Sequence, residues 1–235
     1  MIIPAYFEDL QTHHLGTSPN RAYFIPASVR MDDLVENREH SDRFQLLNGN
    51  WKFKYCESIY DFEEFFYEEG FDASAWDTIP VPSVWQNHGY DRHQYTNIRF
   101  PFPADPPYVP YDNPCGAYLH TFTYKPNEAA PKVYLNFEGV DSCFYVWLNG
   151  QWVGYSEVSH SSSEFDVSEC IREGENILAV MVLKWCAMPL FFTKSTFTRS
   201  LISCRASLSP VRMYPSVSSL SSHRRARVPK ISSAS

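Results

Sequence analysis

The sequence has no apolar run of about 18 residues, the length a membrane-crossing helix needs, and its N-terminus, MIIPAYFEDLQTHH, lacks a basic start followed by an apolar stretch. It holds only nine glycines in 235 residues and no CxxC pair, and residues 187–235 contain neither a glycine nor an acid. Each shortage narrows the reading. Without an apolar span or a leader the chain is expected to be cytosolic, with no membrane partner. Without paired cysteine motifs, Cys56, Cys115, Cys143, Cys170, Cys186 and Cys204 read as reduced, unligated thiols rather than as disulfides or a metal site. Basic residues are also scarce in the body, and a formal charge of −7 argues against a nucleic-acid partner there.

What is present is aromatic and strand-like. A hydrophobic content of 44% is ample for a buried core, and 17 prolines with 6 Trp, 15 Tyr and 17 Phe point to strands joined by Pro-punctuated loops. Residues 1–40 show no sustained period and read as an extended arm with short helical turns at most. After an Asn48-Gly49 turn, Trp51, Phe53 and Tyr55 alternate with Asn50, Lys52 and Lys54, which predicts a half-buried strand. Phe62, Phe65 and Phe66 stand at i, i+3 and i+4, so the spacing predicts one or two turns of amphipathic helix over residues 61–69. The acids Glu63, Glu64, Glu68 and Glu69 then form a solvated face; neighbours on a helix do not converge on one bond as a catalytic carboxylate pair must.

From Ala117 the strands resume as AYLHTFTYK, VYLNFEGV, CFYVWLNG and QWVGYS. Asn149-Gly150 between FYVWL and QWV predicts a two-residue type I′ hairpin, because both central positions need positive φ. EFDVSECIREGEN supplies a short strand and a turn at Gly174. NILAVMVLKW is apolar at nearly every position, so both its faces are expected to be covered. Together these segments predict an all-β jelly-roll β-sandwich over residues 41–186.

Between them lies IPVPSVWQNHGYDRHQYTNIRFPFPADPPYVPYDNPCG, with eight prolines in 38 residues. A long Pro-rich loop carrying aromatics is a place to look for function. Asn97 offers an amide that both donates and accepts, but from the residues alone a turn asparagine is the preferred reading. Trp85, Tyr90 and Tyr95 could stack on the ring face of a ligand or pin the loop to the sheet, and pinning is the expected role of Trp85. His88 and His93, with Asp91 between them, have no third ligand at metal-site spacing and are expected to be unligated; His13-His14 is an isolated pair in the arm.

The strings SDRFQLLNGNWKFKY, IPVPSVWQNHGYD, QYTNIRFPFPADPPYVPYDNPCGAY, FEGVDSCFYVWLNGQWVGYS, SEFDVS and GENILAVMVLKW, in that order, resemble the N-terminal sugar-binding domain of the large β-galactosidases of glycoside hydrolase family 2. The resemblance spans about residues 41–185. It implies a jelly-roll domain that, in a whole enzyme, precedes an immunoglobulin-like domain, a catalytic TIM barrel and further sandwiches. It also implies retaining hydrolysis of terminal β-galactosides such as lactose by two Glu of that barrel, with Mg²⁺ and Na⁺ as the usual ions. Neither Glu falls in the matching stretch, so no catalytic residue and no cofactor is assigned to this chain. Asn97, in the matching YTN, is implied to bind the galactose. The chain is therefore expected to be a non-catalytic β-galactosidase fragment, whose partners are a β-galactoside and the remaining domains or subunits. The alternatives are a stand-alone carbohydrate-binding module and a fragment that complements a separate catalytic polypeptide.

The resemblance departs from the pattern at His93, often Pro in the family, and then abruptly after Trp185. Where the family continues with Ser-Asp-Gly, whose Asp joins the sugar and a sodium ion, this chain reads Cys186-Ala187-Met188. Residues 187–235 hold eight Lys and Arg, no acid and 13 serines, and read as a disordered tail whose sequence derives from a shifted frame or a rearrangement. A basic phosphate-binding tail around Arg224, Arg225 and Arg227 is the alternative. Loss of a closing strand here is expected to cost the sandwich stability unless the apolar start of the tail, MPLFF, pairs in its place.

Overall fold

The computed structural model describes residues 1–34, 36–93, 102, 103, 105–157 and 161–187, with the backbone of 206–210. Its strands are β1 (His14–Leu15), β2 (Gln45–Leu46), β3 (Gly49–Cys56), β4 (Asp77–Val81), β5 (Cys115–Tyr124), β6 (Val133–Phe137), β7 (Cys143–Leu148), β8 (Gln151–Glu157), β9 (Ser163–Asp166), β10 (Gly174–Leu183) and β11 (Ala206–Pro210). Among the described residues helix is limited to 3-10 turns of three or four residues. Two antiparallel sheets, ordered β1-β8-β7-β10-β5-β3-β4 and β2-β11-β6-β9, make the all-β sandwich that the alternation predicts.

The central position of β10 explains its unbroken apolar run. It lies between β5 and β7, and its side chains divide by parity. Leu178, Val180 and Val182 enter the core between the sheets with Trp51, Phe53, Phe137 and Phe165. Ala179, Met181 and Leu183 enter a second core on the outer face of the larger sheet. Burial of each large aliphatic chain contributes about 1.5–3 kcal/mol, so both faces of one strand hold the sandwich together.

The second core needs a cover, which the arm and residues 59–76 supply. Phe7 is fully buried, the Tyr145 hydroxyl donates to the Pro4 carbonyl at 2.8 Å, and β1 pairs with β8 through His14↔Ser156. His13 Nδ1 lies 2.6 Å from the buried Glu157 carboxylate, and His14 Nδ1 lies 2.9 Å from Ser156 Oγ. The histidine pair thus fastens the arm to β8.

The helix expected over residues 61–69 does not form. Beyond a 3-10 turn at Ile59–Asp61 the chain is irregular. Phe66 and Tyr67, adjacent in sequence, both reach Trp147, with ring centroids 5.8 Å and 4.5 Å away. Neighbours on a helix point about 100° apart, so packing on one tryptophan overrides the local pattern. Phe65 is left 51% exposed.

The predicted hairpin is present, with φ of 52° at Asn149 and 76° at Gly150. Most of residues 187–235, including MPLFF and the Arg224–Arg227 basic run, lies outside the described residues, as does the disorder expected of it. Within that stretch Ala206–Pro210 is a strand, which the residues do not announce. It pairs with β6 through Ala206↔Phe137 and with β2 through Ser207↔Leu46, and so completes the smaller sheet.

Candidate functional site

At one end of the larger sheet, β10 runs out through Lys184 and Trp185 while residues 112–114 lead into β5. The fully buried Asn113 binds these two segments together. Its amide donates to the Trp185 carbonyl at 3.0 Å, and its Oδ1 accepts from the Trp185 N–H at 2.9 Å. The Lys184 N–H donates to the Pro114 carbonyl at 2.9 Å, and the Ser142 hydroxyl donates to the Lys184 carbonyl at 2.7 Å. Trp185 is therefore presented half-exposed from a rigid backbone. Around it opens a cleft of about 480 Å³, bounded by Tyr55, Glu57, Asp91, Phe102, Asp112 and Trp185.

The start of the Pro-rich loop is pinned beneath this cleft. Trp85 is fully buried, with its ring 6.2 Å from Phe53 and 5.9 Å from Tyr55. It fits because β5 carries Gly116, where a Cβ would come within 2.7 Å of the Trp85 ring. Tyr90 remains half-buried, edge-on to Phe53 at 4.9 Å, and its hydroxyl donates to Asp77 Oδ2 at 2.6 Å. Burial, reinforced by that carboxylate, pushes the Tyr90 phenol up to about 12.

Asp91 then turns the chain in a left-handed conformation, φ 57°, and pairs with Lys184, whose side chain is only 2% exposed. A buried cation left without such a partner is strongly destabilising, so the pair holds the loop against the end of β10. Lys184 also sits 5.2 Å from the Trp185 ring centre. Burial and the nearby Asp91 carboxylate push the Tyr55 phenol well above its ordinary value, so it stays a neutral donor.

Aromatic faces beside exposed carboxylates suit a sugar. The C–H face of a pyranose stacks on a ring while its hydroxyls donate to acceptors such as Asp112 and Glu57. The structure places Trp85 under the loop, as expected of a pin, and Tyr90 at its margin, whereas Tyr95 and Asn97 lie outside the described residues. His88 Nε2 lies 3.1 Å from Ser83 Oγ, and His93 is exposed. Among the described residues no three His, Cys, Asp or Glu groups gather to hold a metal ion. Ala187 is fully buried, its N–H donating to the Phe7 carbonyl at 2.7 Å. Its methyl group offers no ligand, so the sodium implied by the resemblance does not fit at this position. Sequence reasoning missed Asn113, Lys184 and Asp91; a lone lysine ending an apolar run was the available signal for Lys184.

Comparison with known proteins bears on the same stretch. The family model for the sugar binding domain of family 2 glycosyl hydrolases matches residues 44–208, running past the compositional break and into β11. The chain is 50% identical over 186 residues to a β-galactosidase of Actinobacillus pleuropneumoniae, covering 79% of this chain and 18% of that protein. A β-galactosidase of Staphylococcus xylosus is 43% identical over the same shares. One from Vibrio cholerae is 47% identical over 76% of this chain and 17% of its own length. The chain thus spans less than a fifth of the curated relatives it matches.

Proposed function

The chain belongs to the family 2 glycosyl hydrolases through their sugar binding domain, and from that premise we propose that it is the N-terminal sugar-binding part of a β-galactosidase, non-catalytic by itself. The parent reaction is retaining hydrolysis of terminal β-galactosides such as lactose, and the setting is the cytosol. The cleft at Trp185 carries this reading: its half-exposed ring, with Asp112 and Glu57 beside it, offers one wall to a galactosyl ring. Asn97, on the same loop, supplies an amide to the sugar hydroxyls. Retaining hydrolysis requires two carboxyls about 5–5.5 Å apart on either side of the scissile bond. That pair lies beyond the matched stretch, and neither the Mg²⁺ nor the Na⁺ expected for the whole enzyme is assigned to this chain.

Cys56, Cys115, Cys143, Cys170 and Cys186 are free thiols. Among the described residues no helix is long and apolar enough to cross a membrane. The test is hydrolysis of a chromogenic β-galactoside by the purified chain, alone and mixed with a polypeptide carrying the missing domains. No turnover is expected from the chain alone; turnover there would overturn the reading. Recovery on mixing distinguishes a complementing fragment from a free-standing binding module, which would bind a β-galactoside without its partner.

A further inference from the structure

Cys56 ends β3, Cys115 begins β5, and the two stand directly opposite each other at the last rung of that ladder. Opposed residues of an antiparallel pair have Cα atoms about 4.5–5.5 Å apart, within the roughly 4.4–6.8 Å that a disulfide spans. As opposed residues they share one face of the sheet, both reach the outer core, and both are free thiols. The pair is asymmetric, since Cys56 is half-exposed while Cys115 is fully buried behind it. Cys143 and Cys186 share the same core, but both are buried. Among the described residues Cys56 is thus the accessible thiol that has a second thiol against it.

We propose that Cys56 and Cys115 form a thiol–disulfide exchange site, at which Cys56 takes up a low-molecular-weight disulfide such as glutathione disulfide and Cys115 resolves the adduct. In the first step the Cys56 thiolate attacks one sulfur of glutathione disulfide. The S–S bond breaks, and one glutathione leaves as a thiolate that takes the proton Cys56 has released. In the second step Cys115 gives up its proton and attacks the Cys56 sulfur, expelling the second glutathione, which is protonated in turn. Two protein thiols are oxidised to one disulfide, and one glutathione disulfide is reduced to two glutathiones. No other oxidant is needed.

The surroundings favour these roles. The Cys115 thiol opposite pulls the Cys56 thiol down to about 6, against the opposing effects of burial and the Asp61 carboxylate. Contact with Cys56, together with burial, raises Cys115 well above its ordinary value, so it keeps its proton until the mixed disulfide has formed. When protonated, Cys56 donates to the Ser58 carbonyl at 3.2 Å. Attack needs the thiolate, so at neutral pH the exposed partner is the nucleophile. The residues flanking the pair, Tyr55, Glu57 and Pro114, line the cleft at Trp185, so the bridge would tie together the strand ends beneath it. The site stands whether or not that cleft holds a sugar.

The full chain would be equilibrated with glutathione and glutathione disulfide, quenched in acid, alkylated, digested and mapped by mass spectrometry. The expected product is a peptide pair joining Cys56 to Cys115, with Cys143, Cys170 and Cys186 recovered alkylated. Cys115→Ser is expected to accumulate glutathione on Cys56, while Cys56→Ser leaves Cys115 unmodified. The pH at which Cys56 alkylates at half its maximal rate is expected near 6 in the wild type, moving toward about 8.5 in Cys115→Ala, which removes the donor. A wild-type map without the Cys56–Cys115 link, or with Cys56 joined to another cysteine, would overturn the proposal without reference to any variant's folding.

Discussion

Gly116 shows how one residue sets the position of the loop. A Cβ there would stand 2.6 Å from the Phe53 ring and 2.7 Å from the Trp85 ring, inside the distance at which something must move. Gly116→Ala is therefore expected to destabilise the chain by about 1–3 kcal/mol, the usual cost of overpacking, as measured by urea unfolding. Unchanged stability would mean that Trp85 does not pack on β5 as described. His120 offers a titration test. Its ring stacks on Trp51 at 4.7 Å, and burial lowers it below its ordinary value of 6.5. Between the folded value and 6.5 the unfolded chain binds more protons, so stability rises with pH through that window and levels off above 6.5. His120→Phe keeps the stack and removes the titration, so the wild type should lose stability relative to the variant as pH falls below 6.5. The buried Glu157 and Glu164, both raised by burial, act in the opposite sense but are common to the two proteins and cancel in the difference.

Among the elements, β3, the Asn149-Gly150 hairpin and β10 were legible because one local pattern sufficed for each: alternation, a turn that needs positive φ, and a run apolar on both faces. Residues 61–69 were misread because Phe62, Phe65 and Phe66 satisfy a helical period, while the deciding contact is with Trp147, far along the chain. The clamp of Asn113 on Trp185 was invisible for the same reason; its partners are 72 residues apart. Part of the candidate site was legible, since the loop and Trp85 stood out by composition, whereas Lys184 and Asp91 meet only once β10 is in place. Strand β11 escaped notice because Ala-Ser-Leu-Ser-Pro is too short and too serine-rich to announce a strand, and the sheet around it selects it. Ending the chain after Ala187 removes its ladder with β6 and β2, at about 0.5–1.5 kcal/mol for each hydrogen bond lost. The shortened chain is expected to unfold at lower urea and to associate through the bared edge of β6. Equal midpoints for the two lengths, with no change in sedimentation, would show that β11 contributes nothing.

On the scale of the whole molecule, the described residues include large aromatic side chains that stand exposed. Tyr108 and Tyr111 are 62% and 65% exposed, and both lie on the segment that leads through Asp112 to the cleft. Tyr111 is held outward by order rather than by fraying, since its ring stacks on Tyr60 at 4.9 Å and its hydroxyl donates to Asp61 at 2.9 Å. Ordered, exposed aromatics at the rim of a cleft are suited to contact with another body, and the matched stretch is less than a fifth of the relatives' length. If the chain is the sugar-binding part of such an enzyme, adding a polypeptide with the remaining domains should slow amide exchange at residues 108–112. Exchange at the Asn149-Gly150 hairpin, at the end of the β7–β10 ladder away from Leu183, should change less. Recovered hydrolysis should appear only with that protection, because the cleft can form one wall of a pocket only when the catalytic body sits against it. Hydrolysis regained without protection at residues 108–112 would place the contact elsewhere and separate the cleft from the reaction.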